Sequence, residues 1–321
     1  MAKHTISRRS FNRIAITGLA ASITGFATTP ATQATPKTYP KGDYFDVHTH
    51  LGQVWGNRPE LSAQNLLKWM DEMSIAQAVV LPLVSPESWD HVLTSDYTLK
   101  QTAPYRDRLI PFCSIDPRTL HLSSHKLKVD MLKKYQDAGA KGYGEHKPGV
   151  TMDDPRNLEF FAACAEIGMP ILFHIDNARN IDKPGLPGLE NVLRQIPNGT
   201  FIGHAQGWWA SISGDTTQND LQGYPKTKVA PGGAIDRLMD KYPNLYGDLS
   251  AGSGANSITR DLEFGREFII RRSDRLLFGT DYLSPGQGVP QFELYGKTLA
   301  DLPQAVKDKV FRNNARRVLG L

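Results

Sequence analysis

From residue 43 onward, short runs of β-branched and aromatic residues alternate with stretches whose apolar positions recur at helical spacing. The runs predict eight strands, over 43–50, 77–84, 109–116, 140–147, 170–176, 200–206, 245–251 and 275–283. Helices are predicted between them over 63–73, 125–138, 157–167, 188–196, 235–242 and 258–271, and again over 303–321. In 63–73, for example, Leu66, Leu67, Met70 and Met73 form one apolar stripe. Gly139 and Gly168 stand just past two helix ends, where a left-handed cap suits glycine. Strands alternating with helices imply a parallel sheet. Eight such units over 43–321 match an α/β fold of the (β/α)8 TIM-barrel type, which typically needs about 250 residues. A doubly wound open sheet fits less well, because the turn Leu51-Gly52-Gln53-Val54 after the first strand is not a glycine-rich phosphate loop. The longest break in the alternation, 207–232, reads as a lid or binding element, and 250–257, with Gly252 and Gly254, reads as a flexible loop.

The first residues follow a different pattern. Arg8 and Arg9 precede a mildly apolar stretch, 14–26, and small residues follow up to Ala34. The stretch is too short and too mild to span a bilayer. The order resembles a twin-arginine export signal over 1–34, followed by a linker over 35–42 and the barrel over 43–321. That reading predicts a periplasmic or secreted protein, released from the membrane once the signal is removed. Lys3, Arg8, Arg9 and Arg13 account for the whole net charge of +4, so the remainder is neutral and carries no electrostatic footprint for nucleic acid. The expected partner is a small-molecule substrate, and a homo-oligomer stays open. Two cysteines, Cys113 and Cys164, sit in a predicted strand and a predicted helix and read as core residues.

Candidate chemistry gathers at strand ends. His48 and His50 end the first strand, His174 the fifth and His204 the sixth, and Asp281 closes the eighth. In a barrel those ends open onto the active site. The two-residue period of a strand would place Asp46, His48 and His50 on one face. Imidazoles with a carboxylate suit Zn²⁺ best, with Mn²⁺ and Fe²⁺ also compatible. On the fourth strand Glu145 and Lys147 share a face and His146 takes the other. Trp55, Trp208 and Trp209 lie in loops after strands and are candidates for an aromatic substrate wall, with Arg179 placed to meet a carboxylate. Asp248 and Ser250 either line the pocket or bond to backbone. His91, His121 and His125 lack strand-end partners and read as solvated or structural.

Asp46-Val47-His48-Thr49-His50, Leu172-Phe173-His174, Phe201-Ile202-Gly203-His204 and Phe278-Gly279-Thr280-Asp281, taken in order, resemble the amidohydrolase superfamily, most closely its amidohydrolase-related branch. The resemblance implies a metal-dependent barrel in which His48 and His50 bind an ion. His174 and Asp281 would complete a mononuclear site, or His174 and His204 would hold a second ion. Binuclear members carry a bridging carboxylate on the fourth strand. Glu145 could supply it directly, or Lys147 could supply it if carboxylated. Otherwise the two form a rim ion pair, or Lys147 meets an anionic substrate. The implied reaction is hydrolysis of an amide, ester or lactone by metal-activated water, with Asp281 moving the proton. His204 would bind metal or polarise the carbonyl, and Asp46 would orient a ligand. The alternatives are a mononuclear, non-oxidative decarboxylase or hydratase of a carboxylated substrate, and a secreted binding protein without chemistry.

Overall fold

The computed structural model describes residues 42–321, so the segment read as an export signal, 1–34, and nearly all of the expected linker lie outside the described residues. Eight strands follow one another: β1 (Tyr44–Thr49), β2 (Ile75–Val80), β3 (Leu109–Pro111), β4 (Tyr143–His146), β5 (Ile171–His174), β6 (Phe201–His204), β7 (Leu245–Asp248) and β8 (Leu276–Leu277). All neighbours pair in parallel, in the orders β1-β2-β3 and β4-β5-β6-β7-β8. Parallel bridges Cys113–Tyr143 and Thr49–Tyr282 join the two sets. The ring is therefore closed, as the eight predicted units require.

Outside it lie α1 (Ala63–Glu72), α2 (Ser95–Thr102), α3 (His125–Asp137), α4 (Pro155–Glu166), α5 (Pro187–Gln195), α6 (Gln206–Ala210), α7 (Ala234–Lys241), α8 (Ala251–Thr259) and α9 (Leu262–Arg271). The chain then runs through α10 (Pro290–Glu293), α11 (Gln304–Asp308) and α12 (Asn314–Leu319), with π-helical turns over Leu294–Thr298 and Lys309–Asn313. Local chemistry sets many of these limits. Ser62, Thr94, Ser124 and Asp154 each accept a first-turn N–H at a helix start, and Pro155 takes the first helical position of α4. Gly139 and Gly168 adopt φ of 107° and 69°, the left-handed ends expected of them.

Two local expectations are corrected. Residues 250–257 are not a flexible loop but the start of α8, and the helix predicted over 258–271 is two helices. The break falls at Asp261, whose side chain accepts from Phe264 N–H and restarts the chain as α9. The glycines at 252 and 254 mislead because they serve packing. A side-chain carbon at Gly254 would stand 2.3 Å from the Leu249 carbonyl.

The barrel interior is apolar. Phe45, Val47, Val79, Leu81, Ile110, Phe112, Leu172, Ile202, Tyr246 and Leu277 fill it, one or two from nearly every strand, and Ala315 and Leu319 of α12 join the same cluster. Each buried large side chain contributes about 1.5–3 kcal/mol. With Phe45 and Val47 inward, strict alternation would turn His48 and His50 away. A register shift in the β1–β2 pairing between Asp46 and Thr49 reverses the phase. The two histidines thereby reach the mouth, while Asp46 turns to the end of β8, against the expectation of a shared face. β4 is irregular too, with a shift between Tyr143 and His146. Its outcome agrees with the expected split: His146 packs on Phe161 and bonds Asn157 (2.8 Å), and Glu145 and Lys147 face inward. Burial lowers the His146 pKa to about 4, so this imidazole is neutral and structural.

Trp208 and Trp209 do not line the site. They are 0 % and 1 % exposed and pack against Phe173 and Phe268, with Trp208 filling the space left by the missing side chain of Gly203. Trp208→Ala is expected to lower unfolding stability by about 3–5 kcal/mol without altering metal content, as read by denaturant titration and metal analysis. Cys113 and Cys164 are free and buried, and burial pushes the Cys113 thiol far above its usual range.

Candidate metal centre

The C-terminal ends of β1, β4, β5 and β6 and the turn after β8 bring His48, His50, Glu145, His174, His204 and Asp281 together. The Nε2 atoms of His48 and His50 are 3.1 Å apart, and Asp281 Oδ1 lies 3.5 and 3.4 Å from them. Glu145 sits between two groups of imidazoles. Its Oε2 is 3.7 Å from His48 Nε2 and 3.5 Å from His50 Nε2. Its Oε1 is 2.7 Å from His174 Nδ1 and 3.8 Å from His204 Nε2. Ligand atoms of His48, His50 and Asp281 fall within 4.8 Å of one another, as do those of Glu145, His174 and His204.

The far side of each ring is tied down. His48 Nδ1 meets Asp248 Oδ2 at 2.7 Å, His50 Nδ1 the Leu81 carbonyl at 2.9 Å, and His174 Nε2 Asp176 Oδ2 at 2.8 Å. Carboxylates and carbonyls only accept, so these nitrogens carry the protons. Ser250 gives its one hydroxyl proton to Asp248 (2.8 Å), and its oxygen then accepts from His204 Nδ1 (2.9 Å). With one proton each, placed on these nitrogens, the rings turn their other nitrogen inward, toward another ring nitrogen or, as with His174 Nδ1 at 2.7 Å, toward Glu145. Lone pairs so placed repel one another unless positive charge, from an ion or from a second proton on a ring, stands among them. Anchoring of the outer nitrogen by a carboxylate or carbonyl is also the usual support of a metal-bound imidazole. The residues present thus fit divalent ions.

The electrostatics show the same demand for positive charge. Burial opposes charge on His48, but Asp281, Asp248 and Glu145 outweigh it and raise its pKa well above the ordinary value. Burial would raise the pKa values of Glu145, Asp281 and Asp248, yet the surrounding imidazoles, with Lys147 beside Glu145, hold all three carboxyls below the usual range. Burial and His48 together lower the pKa of His204. Asp46 accepts from His48 N–H (2.9 Å), Thr280 N–H (3.0 Å) and the Thr280 hydroxyl (2.6 Å), fixing β1 to the turn that carries Asp281.

A cavity of about 190 Å³ opens onto the cluster, lined in part by Trp55, Trp89, Lys147, His174, His204, Tyr224 and Asp281. Of the residues proposed for substrate, Trp55 and Lys147 are there. Lys147 Nζ lies 3.1 Å from Glu145 and 4.8 Å from the Trp89 ring centre. Arg179 is not among the lining residues. Its guanidinium is committed to Asp176 and the Glu87 carbonyl and lies over Trp89. Tyr224 comes from the long segment 207–232, which to that extent does contribute to the site. Sequence reasoning missed Asp176 and Trp89, and it left the anchoring role of Asp248 open. The spacing His174-x-Asp176 was a usable signal for the first; nothing in sequence marked Trp89.

The amidohydrolase family model Amidohydro_2 matches residues 45–321. The chain belongs to this amidohydrolase family. Membership makes it an enzyme of the amidohydrolase superfamily, whose members in this family bind a divalent metal. No curated protein matches it. Among solved structures, a TIM-barrel protein from Bordetella bronchiseptica is similar at TM-score 0.55 and 18% identity, covering 81% of this chain and 83% of that one. A probable 2-pyrone-4,6-dicarboxylic acid hydrolase from Acinetobacter baumannii is similar at 0.56 and 13%, covering 87% and 100%. A 5-carboxyvanillate decarboxylase from Sphingomonas paucimobilis is similar at 0.53 and 12%, covering 87% and 99%. These likenesses establish the barrel fold. Amidohydrolase kinship spans both hydrolysis and decarboxylation and does not choose between them.

Proposed function

We propose that this amidohydrolase is a binuclear metal-dependent hydrolase that cleaves an amide, ester or lactone bond of a small substrate. One observation carries the proposal: the two oxygens of Glu145 are divided between the His48–His50–Asp281 group and the His174–His204 group. A mononuclear decarboxylase has no need of a carboxylate shared in this way. The chemistry that bound divalent ions supply is Lewis acidity and activation of water near neutral pH, and Zn²⁺ suits this donor set best. His48, His50 and Asp281 would hold one ion, His174 and His204 the second, and Glu145 both.

The chain's own residues account for the proton. The Asp281 side chain is 21% exposed, against 5% or less for the four histidines and Glu145, so among these carboxylates it is the one that reaches the cavity. It is held ionised and can take a proton from attacking water and return it to the leaving group. His204 offers a lone pair rather than an N–H inward, which favours ligation over carbonyl polarisation.

The test is a substrate panel run on metal-replete protein. Hydrolysis of esters, lactones or amides that chelation abolishes and Zn²⁺ restores is the expected result; release of CO₂ from carboxylated aromatics without hydrolysis would reject it. Protons compete with metal for imidazole, so ion content should fall as pH drops through the histidine range around 6.5 and recover on return to neutral pH. Metal retained unchanged well below pH 5, measured by elemental analysis after dialysis, would count against imidazole ligation. We also propose that the chain is exported by its twin-arginine-type segment. A reporter fused to residues 1–40 should leave the cytoplasm, and should stay when Arg8 and Arg9 are both lysine.

A further inference from the structure

Part of the cavity wall has no role in holding metal. The first turn of α8 lines it through Ala251, Gly252 and Ser253. Every helix start leaves N–H groups without intrahelical acceptors, and a side chain usually caps them. Here the cap is missing, because the Ser250 hydroxyl is committed to Asp248 and His204. Ala251 N–H finds the Thr280 carbonyl at 3.3 Å, and Gly254 N–H finds Ser250 at 3.1 Å. Gly252 N–H and Ser253 N–H have no acceptor among the described residues. The Ser253 hydroxyl, on a residue only 3% exposed, has no partner either. Three donors thus share one turn with nothing to receive them.

Gly252 is exposed and water can serve its N–H, but Ser253 is 3% exposed, and leaving a buried donor unpaired costs about 1–3 kcal/mol, so the Ser253 hydroxyl calls for an acceptor from outside the chain. The charge of that acceptor follows from its surroundings. The helix start carries a partial positive charge and the Lys147 ammonium opens into the same cavity; the Asp281 carboxylate there opposes an anion, but it belongs to the metal cluster, whose ions would offset it. Trp55, Trp89 and Tyr224 supply the apolar walls. Backbone donors at a helix start, joined by a hydroxyl, match an anionic oxygen pair.

We propose that the first turn of α8, through Gly252 N–H, Ser253 N–H and the Ser253 hydroxyl, is a receptor for a carboxylate that the substrate carries apart from its reacting bond. The substrate class is then a small carboxylated ester, amide or lactone, with its anionic end at α8 and its carbonyl at the histidine cluster. A neutral amide isostere offers one accepting oxygen in place of two and no charge, and binds more weakly. This inference rests on the metal-centre reading for the position of the reacting bond, but the receptor is built from other residues.

Calorimetric titration of zinc-loaded protein with 5-oxohexanoate and with 5-oxohexanamide tests it. The two share one unreactive ketone carbonyl and differ only in whether the far end is a carboxylate or an amide. 5-Oxohexanoate should bind at least about tenfold tighter at low salt. Ser253→Ala, which removes a hydroxyl that bonds to nothing, should cut that ratio about fivefold with folding and metal content intact. Ser253→Asp, which places the chain's own carboxylate among these donors, should bring the ratio to one or below. Equal affinities in the wild type, or a ratio that survives both substitutions, would overturn the receptor. A failed metal centre would show itself separately, as protein that takes up no zinc, and the carboxylate-to-amide ratio would still decide the receptor.

Discussion

Glu145→Gln is expected to lower the metal content from two ions per chain to one and to cut hydrolysis by about 10²–10³-fold. The carboxylate faces the inward nitrogens of both imidazole sets, so its charge is what lets two cations stand close together. An amide keeps the shape but loses the negative charge that offsets their repulsion, and losses of this order accompany removal of a preorganised electrostatic contact. Lys147→Met separates this role from a simple ion pair. If Glu145 serves mainly to neutralise Lys147, the lysine variant should leave a buried, unpaired carboxylate and unfold more readily. If Glu145 is committed to ions, Lys147→Met should keep both of them. Elemental analysis of the two variants, with thermal melts, distinguishes the cases.

Asp281→Asn is expected to reduce kcat by about 10²–10⁴-fold, the usual contribution of a general base, while at least one ion stays bound. The backbone should not suffer. Asp281 has φ 59°, a left-handed conformation that asparagine tolerates as well as aspartate. It is held by its N–H on the His48 carbonyl (2.8 Å) and by Gln287 on its own carbonyl (2.7 Å), and neither bond involves the substituted group. The amide oxygen can still face the histidines but cannot take a proton. A pH–rate profile reports this directly. The acidic limb of kcat should vanish in the variant, and an unchanged limb would move the proton role elsewhere.

Much of this architecture was legible in sequence because strand ends and ligands coincide. Each of His174, His204 and Asp248 is the last residue of its strand, so the alternation that located the strands also located the groups at the mouth. What escaped has physical causes. Parity failed on β1 because a register shift falls inside the strand, and nothing in Asp46-Val47-His48 marks it. Trp208 and Trp209 looked like a substrate wall because they follow β6. The glycine at 203 opens a space behind the strand that only the fold reveals, and Trp208 fills it. Trp89 sits on the connection after β2, which carries no motif, and it is placed by the flanking Lys147 and Arg179 rather than by its own neighbours in sequence. The start of α8 was hidden because its glycines read as flexibility, whereas they allow close packing.

Anomalous diffraction from crystals of protein purified without added metal measures the centre most directly. Two peaks are predicted, one within about 2.0–2.2 Å of Nε2 of both His48 and His50, the other at the same distance from His174 Nδ1 and His204 Nε2, with Glu145 reaching both. A single peak with Glu145 turned to Lys147 alone would contradict the binuclear account.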